Sequence, residues 1–376
     1  MKPRAGSFCT GTTALEMAVS EAFGEFDVAW HSDIKPAASA LLVHRYPNVP
    51  NLGDMRQIDY AGVEPVDMLI GSWPCQPHSA AGNRLGEADP RDLWPEYLRA
   101  IDALHPEIFF GENVARIAVN GELQRVVRSL AERGYVGSWR CVRASDVGAC
   151  HRRDRCFLVA VDPATYAPGG GRDPWGSPQS GSGKPSPTGG SRSPDRGSGS
   201  LTLLPTPKAT DGTKGGPGMR GSSGDLMLPS AVMQLLPTPA VADARNTRNA
   251  TANRSPGQEH HHAGWTLSDV AHAERWGTYA DAIARHEIAL GRPAPEPTQL
   301  SPKTGNPQLS ARFVEFMMML PEGWVTDVPN LVDSPRKSER NAMLSLLGDG
   351  VVPAQGAAAF RFLLAHLARR LEDVAA

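Results

Sequence analysis

Residues 67–79 of this chain are Asp-Met-Leu-Ile-Gly-Ser-Trp-Pro-Cys-Gln-Pro-His-Ser. The run Met68–Ile70 is short and apolar, which is typical of a buried strand, and a loop follows it. In that loop Cys75 is flanked by Pro74 and Pro77, whose fixed φ leaves the loop few conformations to lose. Such rigid presentation at a strand end suits a nucleophile. A buried cysteine is also often just a small hydrophobic residue, so both explanations stay open for Cys75 taken alone.

Other short apolar runs occur on both sides of this stretch. They are Phe26–Trp30, Ile108–Phe110 and Cys156–Val161. Helical patterns lie between the runs, at Ala37–His44, at Trp94–Leu104 and from Leu123 to Leu130. Strands that alternate with helices of this length predict an α/β fold with a parallel, doubly wound sheet covered by helices on both faces. Ligands of such sheets bind beyond the carboxyl ends of the strands, where the loops carry the functional groups.

Charged side chains adjoin two of these runs. Glu112 comes shortly after Ile108–Phe110, where partial desolvation would raise the pKa of a carboxylate and let it donate a proton near neutrality. Arg153 and Arg155 precede the last run, and the alternation of a strand would place both on one face, pointing at an anion or a carbonyl oxygen. A solvated or helix-capping acid and a solvated basic turn remain the alternative explanations.

The composition excludes several classes of protein. Gly (38) and Pro (33) make up about a fifth of the 376 residues, which argues against a coiled coil or an all-helical bundle. No run of 18 apolar residues is present, so we expect no membrane-spanning helix, and we expect no secretory signal. The five cysteines do not suggest a disulfide scaffold, and a reduced, cytoplasmic setting is expected.

The Gly and Pro residues are concentrated in one part of the chain. Between residues 163 and 200, 25 of 38 residues are Gly, Pro or Ser. Such a segment cannot bury enough apolar surface to offset its ordering entropy, so we predict a linker over 163–200. The middle block that follows contains Leu-Leu-Pro-Thr-Pro twice, at 203–207 and 235–239. The repetition fits a reused loop motif as well as a paired binding element.

The order of the Pro-Cys stretch, Glu-Asn-Val at 112–114 and Arg-x-Arg at 153–155 resembles the DNA cytosine-5 methyltransferase family, in the layout of its phage or actinobacterial members. The resemblance covers about 1–161 and 305–365. It implies a Rossmann-like methyltransferase sheet built from residues 1–162 and 306–376, with a smaller, loop-rich target-recognition domain at 201–305.

The resemblance also implies an activity. The chain would methylate carbon 5 of cytosine at a specific sequence of double-stranded DNA, with S-adenosyl-L-methionine as the methyl donor and without a metal. We expect a monomer that acts in the cytoplasm, in the host cytoplasm if a phage encodes it. The same motifs permit a tRNA cytosine as the substrate. The altered cofactor motifs described below permit a catalytically idle relative that only binds DNA.

Roles for individual residues follow from the resemblance. Cys75 would add as a thiolate to carbon 6 of a cytosine flipped out of the duplex. Glu112 would contact the exocyclic amine and N3, and Arg155 together with Arg153 would bind the cytosine O2 and the loop of Cys75. The remaining substrate contacts would come from Trp73, Pro74, Arg245 and Arg248.

The implied cofactor site begins at the first loop, residues 7–14, which includes Cys9 and Gly11. Further contacts would come from Asp33 to the ribose, Asp54 to the adenine amine, Leu93 beside the adenine ring and Asp349 in the closing segment. Some positions depart from the family pattern, since Ser7 stands where Asp is usual, His151 where Gln is usual, and Asp349 where Asn is usual. We still predict that the cofactor binds.

The middle of the chain is the part suited to DNA contact. Residues 163–262 contain ten Lys or Arg and six Asp or Glu, a local charge of +4 within a chain of net charge -2. A weakly basic insert in an otherwise acidic chain fits contact with phosphates without global basicity. Within this insert, Arg245 and Arg248 are suited to base edges and phosphates.

Overall fold

The computed structural model of the chain describes residues 2–73, 92–165, 203–213, 219–221, 226–235, 276–333 and 338–375. Four of the expected site residues lie outside this part of the chain, namely Pro74, Cys75, Arg245 and Arg248. The predicted linker lies outside it too, apart from residues 163–165, and so does the second Leu-Leu-Pro-Thr-Pro copy after Leu235.

In the described part of the chain, six strands form the main sheet. They are β1 (Arg4–Phe8), β2 (Asp27–Ser32), β3 (Met68–Ser72), β4 (Ile108–Val114), β5 (Val136–Arg143) and β6 (Asp154–Val161). Their order in space is β2-β1-β3-β4-β6-β5. The pairs β1–β2, β1–β3 and β3–β4 are parallel, so the carboxyl ends of the first four strands meet at one edge.

The prediction of a parallel sheet is wrong for the far side of this sheet. Strand β6 runs antiparallel to both β4 and β5. Only residues 144–153 join β5 to β6, and parallel neighbours need a crossover of a dozen residues or more. The connection is therefore too short for anything but an antiparallel pair, and the sheet is mixed.

The first four helices are α1 (Ala14–Phe23), α2 (Pro36–Arg45), α3 (Trp94–Leu104) and α4 (Glu122–Ala131). The last three were predicted from the sequence, and each begins and ends within about two residues of its predicted position. One hydrophobic core joins α1 and α2 to Met68 and Ile70, while a second core joins α3 and α4 to Leu69. Successive residues of β3 thus point into opposite cores. The expected covering of both faces is confirmed.

The rest of the described chain is mostly helical. It comprises α5 (Leu228–Leu235), α6 (Ala280–Leu290), β7 (Thr298–Leu300), β8 (Pro307–Leu309), α7 (Ala311–Met317), α8 (Glu339–Asp349) and α9 (Pro353–Ala375). Strands β7 and β8 pair in antiparallel fashion as a separate two-stranded sheet.

The C-terminal helix α9 returns to the first core. Its Phe360 lies edge-on to Phe110 of β4, with ring centroids 5.1 Å apart. A Cβ on Gly356 would lie 2.7 Å from the side chain of Ala18, so glycine permits α9 to pack closely on α1. Within the described residues, Glu339–Leu371 is long and apolar enough to cross a membrane, but 56% of its most apolar window is buried inside the protein. A core helix of a globular protein has the same properties, so this stretch is weak evidence for a membrane.

Candidate active site

A cavity of about 620 Å³ lies at the carboxyl ends of the parallel strands. Its wall contains the first loop, the turn after β2, the end of β3 and the end of β4, as expected for ligand binding in such a sheet. Segments from later in the chain close the cavity. These are residues 206–209 and most of 346–351. The expected site residues within the described ranges all line it, namely Cys9, Gly11, Asp33, Asp54, Trp73, Leu93, Glu112, Arg153, Arg155 and Asp349.

Glu112 and Arg155 form a buried ion pair inside this cavity. Strands β4 and β6 are neighbours, and the Nε of Arg155 lies 2.8 Å from Oε1 of Glu112. Glu112 is only 5% exposed. Burial raises the pKa of this carboxyl, and the positive charges of Arg155 and Arg153 offset part of the rise. The direction is that expected from a position in a buried strand, and it lets Glu112 hold a proton closer to neutral pH.

Arg153 is placed differently from the prediction. Strand β6 begins at Asp154, and Arg153 precedes it with a positive φ of 30°, so the alternation of a strand does not apply to this residue. Its buried guanidinium donates hydrogen bonds to the carbonyl oxygens of Pro207 (3.0 Å), Gly348 (2.9 Å) and Gly350. Arg153 therefore connects three segments of the cavity wall, and its positive charge still acts on the carboxyl at position 112.

The end of β3, where the Pro-Cys stretch leaves the sheet, is held by neighbouring side chains. The Nδ2 of Asn113 donates to the carbonyl oxygen of Trp73 (3.0 Å), and the hydroxyl of Tyr97 donates to that of Ser72 (3.0 Å). The Trp73 ring packs on Trp94, with centroids 5.1 Å apart. Sequence reasoning missed Tyr97, which no motif marked, and missed this role of Asn113, which stood beside Glu112 in the quoted motif.

The first loop is tied to the end of β2. Gly11 has a φ of +55°, and its N–H donates to Oδ2 of Asp33 (2.9 Å). The other oxygen of Asp33 accepts from the N–H of Lys35 (2.8 Å). The N–H of Cys9 donates to the carbonyl of Ser32 (2.8 Å). Burial raises the pKa of the Cys9 thiol to about 12, with Asp33 adding to the rise, so this thiol stays neutral.

The other expected cofactor residues surround the same loop. Asp54 caps a short 3₁₀ turn and pairs with Arg56 (2.8 Å), whose hydrogen bond lowers the pKa of the carboxyl. Asp349 pairs with Lys35 across the mouth of the cavity (2.7 Å). Leu93 lies just before α3. Each of these carboxylates already has a cation beside it.

The first Leu-Leu-Pro-Thr-Pro copy also belongs to the wall, which sequence reasoning did not anticipate. The N–H of Leu204 donates to the carbonyl of Cys150 (2.8 Å), and the hydroxyl of Thr206 accepts from the N–H of Arg153 (3.2 Å). A Cβ on Gly348 would lie 2.1 Å from the backbone nitrogen of Ala209, so the absence of a side chain permits this contact. The repetition was visible in the sequence, but nothing in it indicated the cavity.

Comparison with known proteins gives a consistent result. Residues 4–173 match the family model of the C-5 cytosine-specific DNA methylases. The Type II methyltransferase M.NgoMIV of Neisseria gonorrhoeae is 32% identical over 133 residues, which cover 34% of this chain and 43% of that protein. The Type II methyltransferase M.NaeI of Lentzea aerocolonigenes is 31% identical over 162 residues, covering 41% of this chain and 38% of that protein. The chain thus matches less than half the length of these curated relatives.

Among solved structures, the Dnmt2 methyltransferase of S. pombe aligns with a TM-score of 0.50 at 16% identity, covering 97% of this chain and 99% of that one. The methyltransferase EhMeth of Entamoeba histolytica aligns with a TM-score of 0.50 at 11% identity, covering 98% and 99%. At these identities the likeness shows the fold alone, and it confirms the expected Rossmann-like α/β class. Residues 4–173 are thus similar to the C-5 cytosine-specific DNA methylases, and this part of the chain contains the strands and loops that form the cavity.

Proposed function

We propose that the chain is a DNA cytosine-5 methyltransferase that methylates cytosine at a specific sequence of double-stranded DNA, with S-adenosyl-L-methionine as the methyl donor. The observation that carries the proposal is the buried Glu112–Arg155 pair, which shares one cavity with the first loop and the end of β3. The relatives named above are Type II methyltransferases, and their names support the same activity.

The residues of the cavity fit the cofactor. A volume of about 620 Å³ is within the usual range for a site of this kind of ligand. Asp33 is nearly buried, and each of its oxygens accepts one backbone hydrogen bond and retains a lone pair for a ribose hydroxyl. Asp54 would hold the adenine amine, Leu93 would pack on the ring, and the first loop at Cys9 and Gly11 would approach through its backbone. Bound there, the cofactor supplies an electrophilic methyl group.

Glu112 and Arg155 would act on the cytosine itself. With its raised pKa, Glu112 can donate a proton to N3 while its other oxygen accepts from the exocyclic amine. Arg155 would place positive charge at O2, where negative charge develops. Because these groups lie inside a cavity, the base must leave the stack to reach them.

Cys75, which lies outside the described residues, completes the chemistry by resemblance. Its thiolate would form a bond to C6, and the electron pair of the C5=C6 bond would move to C5. C5 would then take the methyl group as the bond between that group and the sulfonium sulfur breaks, leaving S-adenosylhomocysteine. Loss of the C5 proton to a base and departure of the thiolate then restore the double bond. Asn113 and Tyr97 contribute by fixing the end of β3, from which the Cys75 loop departs.

Sequence selection is assigned to residues 201–305, including Arg245 and Arg248. The local charge of +4 over residues 163–262 supports phosphate contact there. We further propose that the enzyme is a monomer that acts in the cytoplasm, and that residues 1–162 and 306–376 form one catalytic unit. The packing of α9 on α1 and the Arg153 bonds to positions 348 and 350 support that unit.

The test is covalent trapping with a pool of DNA duplexes that contain 5-fluorocytosine. Fluorine at C5 blocks proton loss, so the full chain with S-adenosyl-L-methionine should form an adduct that survives denaturing electrophoresis. Cys75→Ser should form none, while Cys141→Ser, which changes an exposed cysteine outside the cavity, should react like the wild type. Bisulfite sequencing of DNA from cells that express the chain would then identify the target sequence.

The alternatives give different results in this assay. An adduct with fluorocytosine-substituted tRNA but not with DNA would show that the substrate is tRNA and not DNA. Binding of DNA with no adduct on either nucleic acid would support a catalytically idle relative. Glu112→Gln should still bind DNA but methylate it at least about 100-fold more slowly, because general acid catalysis by a positioned group contributes on that scale.

A further inference from the structure

Glu16 is a buried acid that the proposed mechanism does not use. It lies in the first turn of α1, beneath the first loop, and is 5% exposed. One of its oxygens accepts a hydrogen bond from the hydroxyl of Ser7. The other oxygen, Oε2, is buried without any hydrogen-bond partner, and the residue is part of the cavity wall. A buried carboxylate oxygen without a partner is costly, so its position facing a ligand cavity calls for an explanation.

The charges around Glu16 make it the acid best suited to a cationic ligand group. In the described part of the chain, no lysine or arginine pairs with it, whereas Asp54 and Asp349 each have a cation beside them. The titratable groups that face it are Asp33, from the end of β2, and Tyr46, from the end of α2. Burial raises the pKa of Glu16 to about 7, the hydrogen bond from Ser7 offsets part of the rise, and Asp33 adds to it.

We propose that Glu16 binds the ammonium group at the amino-acid end of the cofactor. The inference rests on the proposed function, which assigns the adenosine to Asp54 and Asp33 and leaves the opposite end of the cofactor for the first loop. Ser7 stands where the family usually has Asp, and the hydrogen bond from Ser7 brings the carboxylate of Glu16 to that position from a different element. An ammonium group would satisfy the unpartnered oxygen with a charge-assisted hydrogen bond.

Calorimetry on the full chain with two ligands tests this role. S-adenosylhomocysteine carries the ammonium group, and 5′-methylthioadenosine lacks the whole amino-acid end. Glu16→Gln keeps the shape of the side chain and an acceptor for Ser7. This variant should weaken the binding of S-adenosylhomocysteine by about 10- to 100-fold, the range of a hydrogen bond to a charged group. Its affinity for 5′-methylthioadenosine should stay within about twofold of the wild-type value. The matched control is Glu21→Gln, on the same helix but paired with Arg361 at the surface, which should change neither affinity.

The outcomes separate this inference from the proposed function. Equal weakening of both ligands by Glu16→Gln, or no weakening of either, would overturn the role of Glu16 while the cofactor assignment stands. Failure of the wild-type chain to bind either ligand would instead overturn the cofactor assignment itself, and the inference with it.

A second measurement on the wild-type chain covers the case in which Glu16→Gln does not fold. Since the pKa of Glu16 is about 7 in the free protein, an ammonium beside it would lower that pKa and expel about half a proton at pH 7. Titrations in two buffers of different ionisation enthalpy should show this release with S-adenosylhomocysteine and not with 5′-methylthioadenosine. Equal proton release with both ligands would refute the inference.

Discussion

Replacing Arg153 by alanine should destabilise the chain far more than the same change at the adjacent Arg152. The guanidinium of Arg153 is buried, and its three hydrogen bonds reach the carbonyl oxygens of Pro207, Gly348 and Gly350. The side chain of Arg152 is 61% exposed and pairs with Asp154 at the surface. The two residues are neighbours in sequence and identical in type, so they form a matched pair of variants.

The magnitude follows from the bonds that the truncation removes. A hydrogen bond to a charged group contributes about 1.5–3 kcal/mol, so three such bonds give roughly 4–9 kcal/mol before any offset. The cost of burying the guanidinium offsets part of this sum, while the truncation leaves three carbonyl oxygens without their donor, at about 1–3 kcal/mol for each one that stays buried. We therefore expect Arg153→Ala to lower the free energy of unfolding by about 3–5 kcal/mol, and Arg152→Ala by less than about 0.5 kcal/mol.

Urea unfolding followed by tryptophan fluorescence measures both variants. Arg153→Ala should also weaken the binding of S-adenosylhomocysteine, because the segment at Gly348 and Gly350 would lose its connection to β6. Arg153→Lys should recover only part of the stability, since an ammonium group lacks the planar fork of the guanidinium. If Arg153→Ala and Arg152→Ala lost the same small amount of stability, the role of Arg153 as a connector of the cavity wall would be refuted.

Three further predictions concern the same region and the core beside it. Gly348→Ala would place a Cβ 2.1 Å from a backbone nitrogen and should cost about 1–3 kcal/mol or more, while Gly350→Ala, whose nearest atom is a hydroxyl at 3.1 Å, should cost less than about 1 kcal/mol in the same urea assay. Burial lowers the pKa of His286 to about 4, below its ordinary value near 6.5, so the unfolded chain takes up a proton first as the pH falls. About 3 kcal/mol of the free energy of unfolding at pH 7 should therefore be lost between about pH 6.5 and 4. His286→Gln should lack this loss in thermal melts. If the variant and the wild type had the same pH profile, a neutral, buried imidazole at position 286 would be refuted. Asp349→Asn removes a half-exposed ion pair with Lys35 and should alter the free energy of unfolding by less than about 1 kcal/mol, whereas a larger effect would show that the pair is more than a surface contact.

Two of the strands predicted from the sequence have buried side chains on both faces. Met68–Ile70 and Ile108–Phe110 are wholly buried, so each appears as a continuous apolar run. Strand β5 was not predicted because it is an edge strand, and its residues Trp139–Cys141 are exposed. Without β5, the short connection that forces β6 to be antiparallel could not be seen, and the sheet was expected to be parallel throughout.

In the candidate site, the sequence was informative for side chains whose surroundings depend only on their position in a strand. Glu112 is an example, because a carboxylate in a buried strand is desolvated wherever that strand lies. Arg153 is the opposite case, because its direction depends on a positive φ that a non-glycine residue adopts only under tertiary constraint. Glu16 was also missed, since an acid in the first turn of a helix usually needs no explanation beyond the helix dipole.

The first Leu-Leu-Pro-Thr-Pro copy lies at the cavity wall, while residues 236–239 of the second copy lie outside the described part of the chain. The copy at 203–207 is bound by Arg153, and the chain just after it packs against Gly348. One proline of this copy and one glycine opposite it serve close backbone packing in the cavity wall, since Pro207 offers its carbonyl oxygen to the Arg153 guanidinium and Gly348 leaves room for the backbone of Ala209.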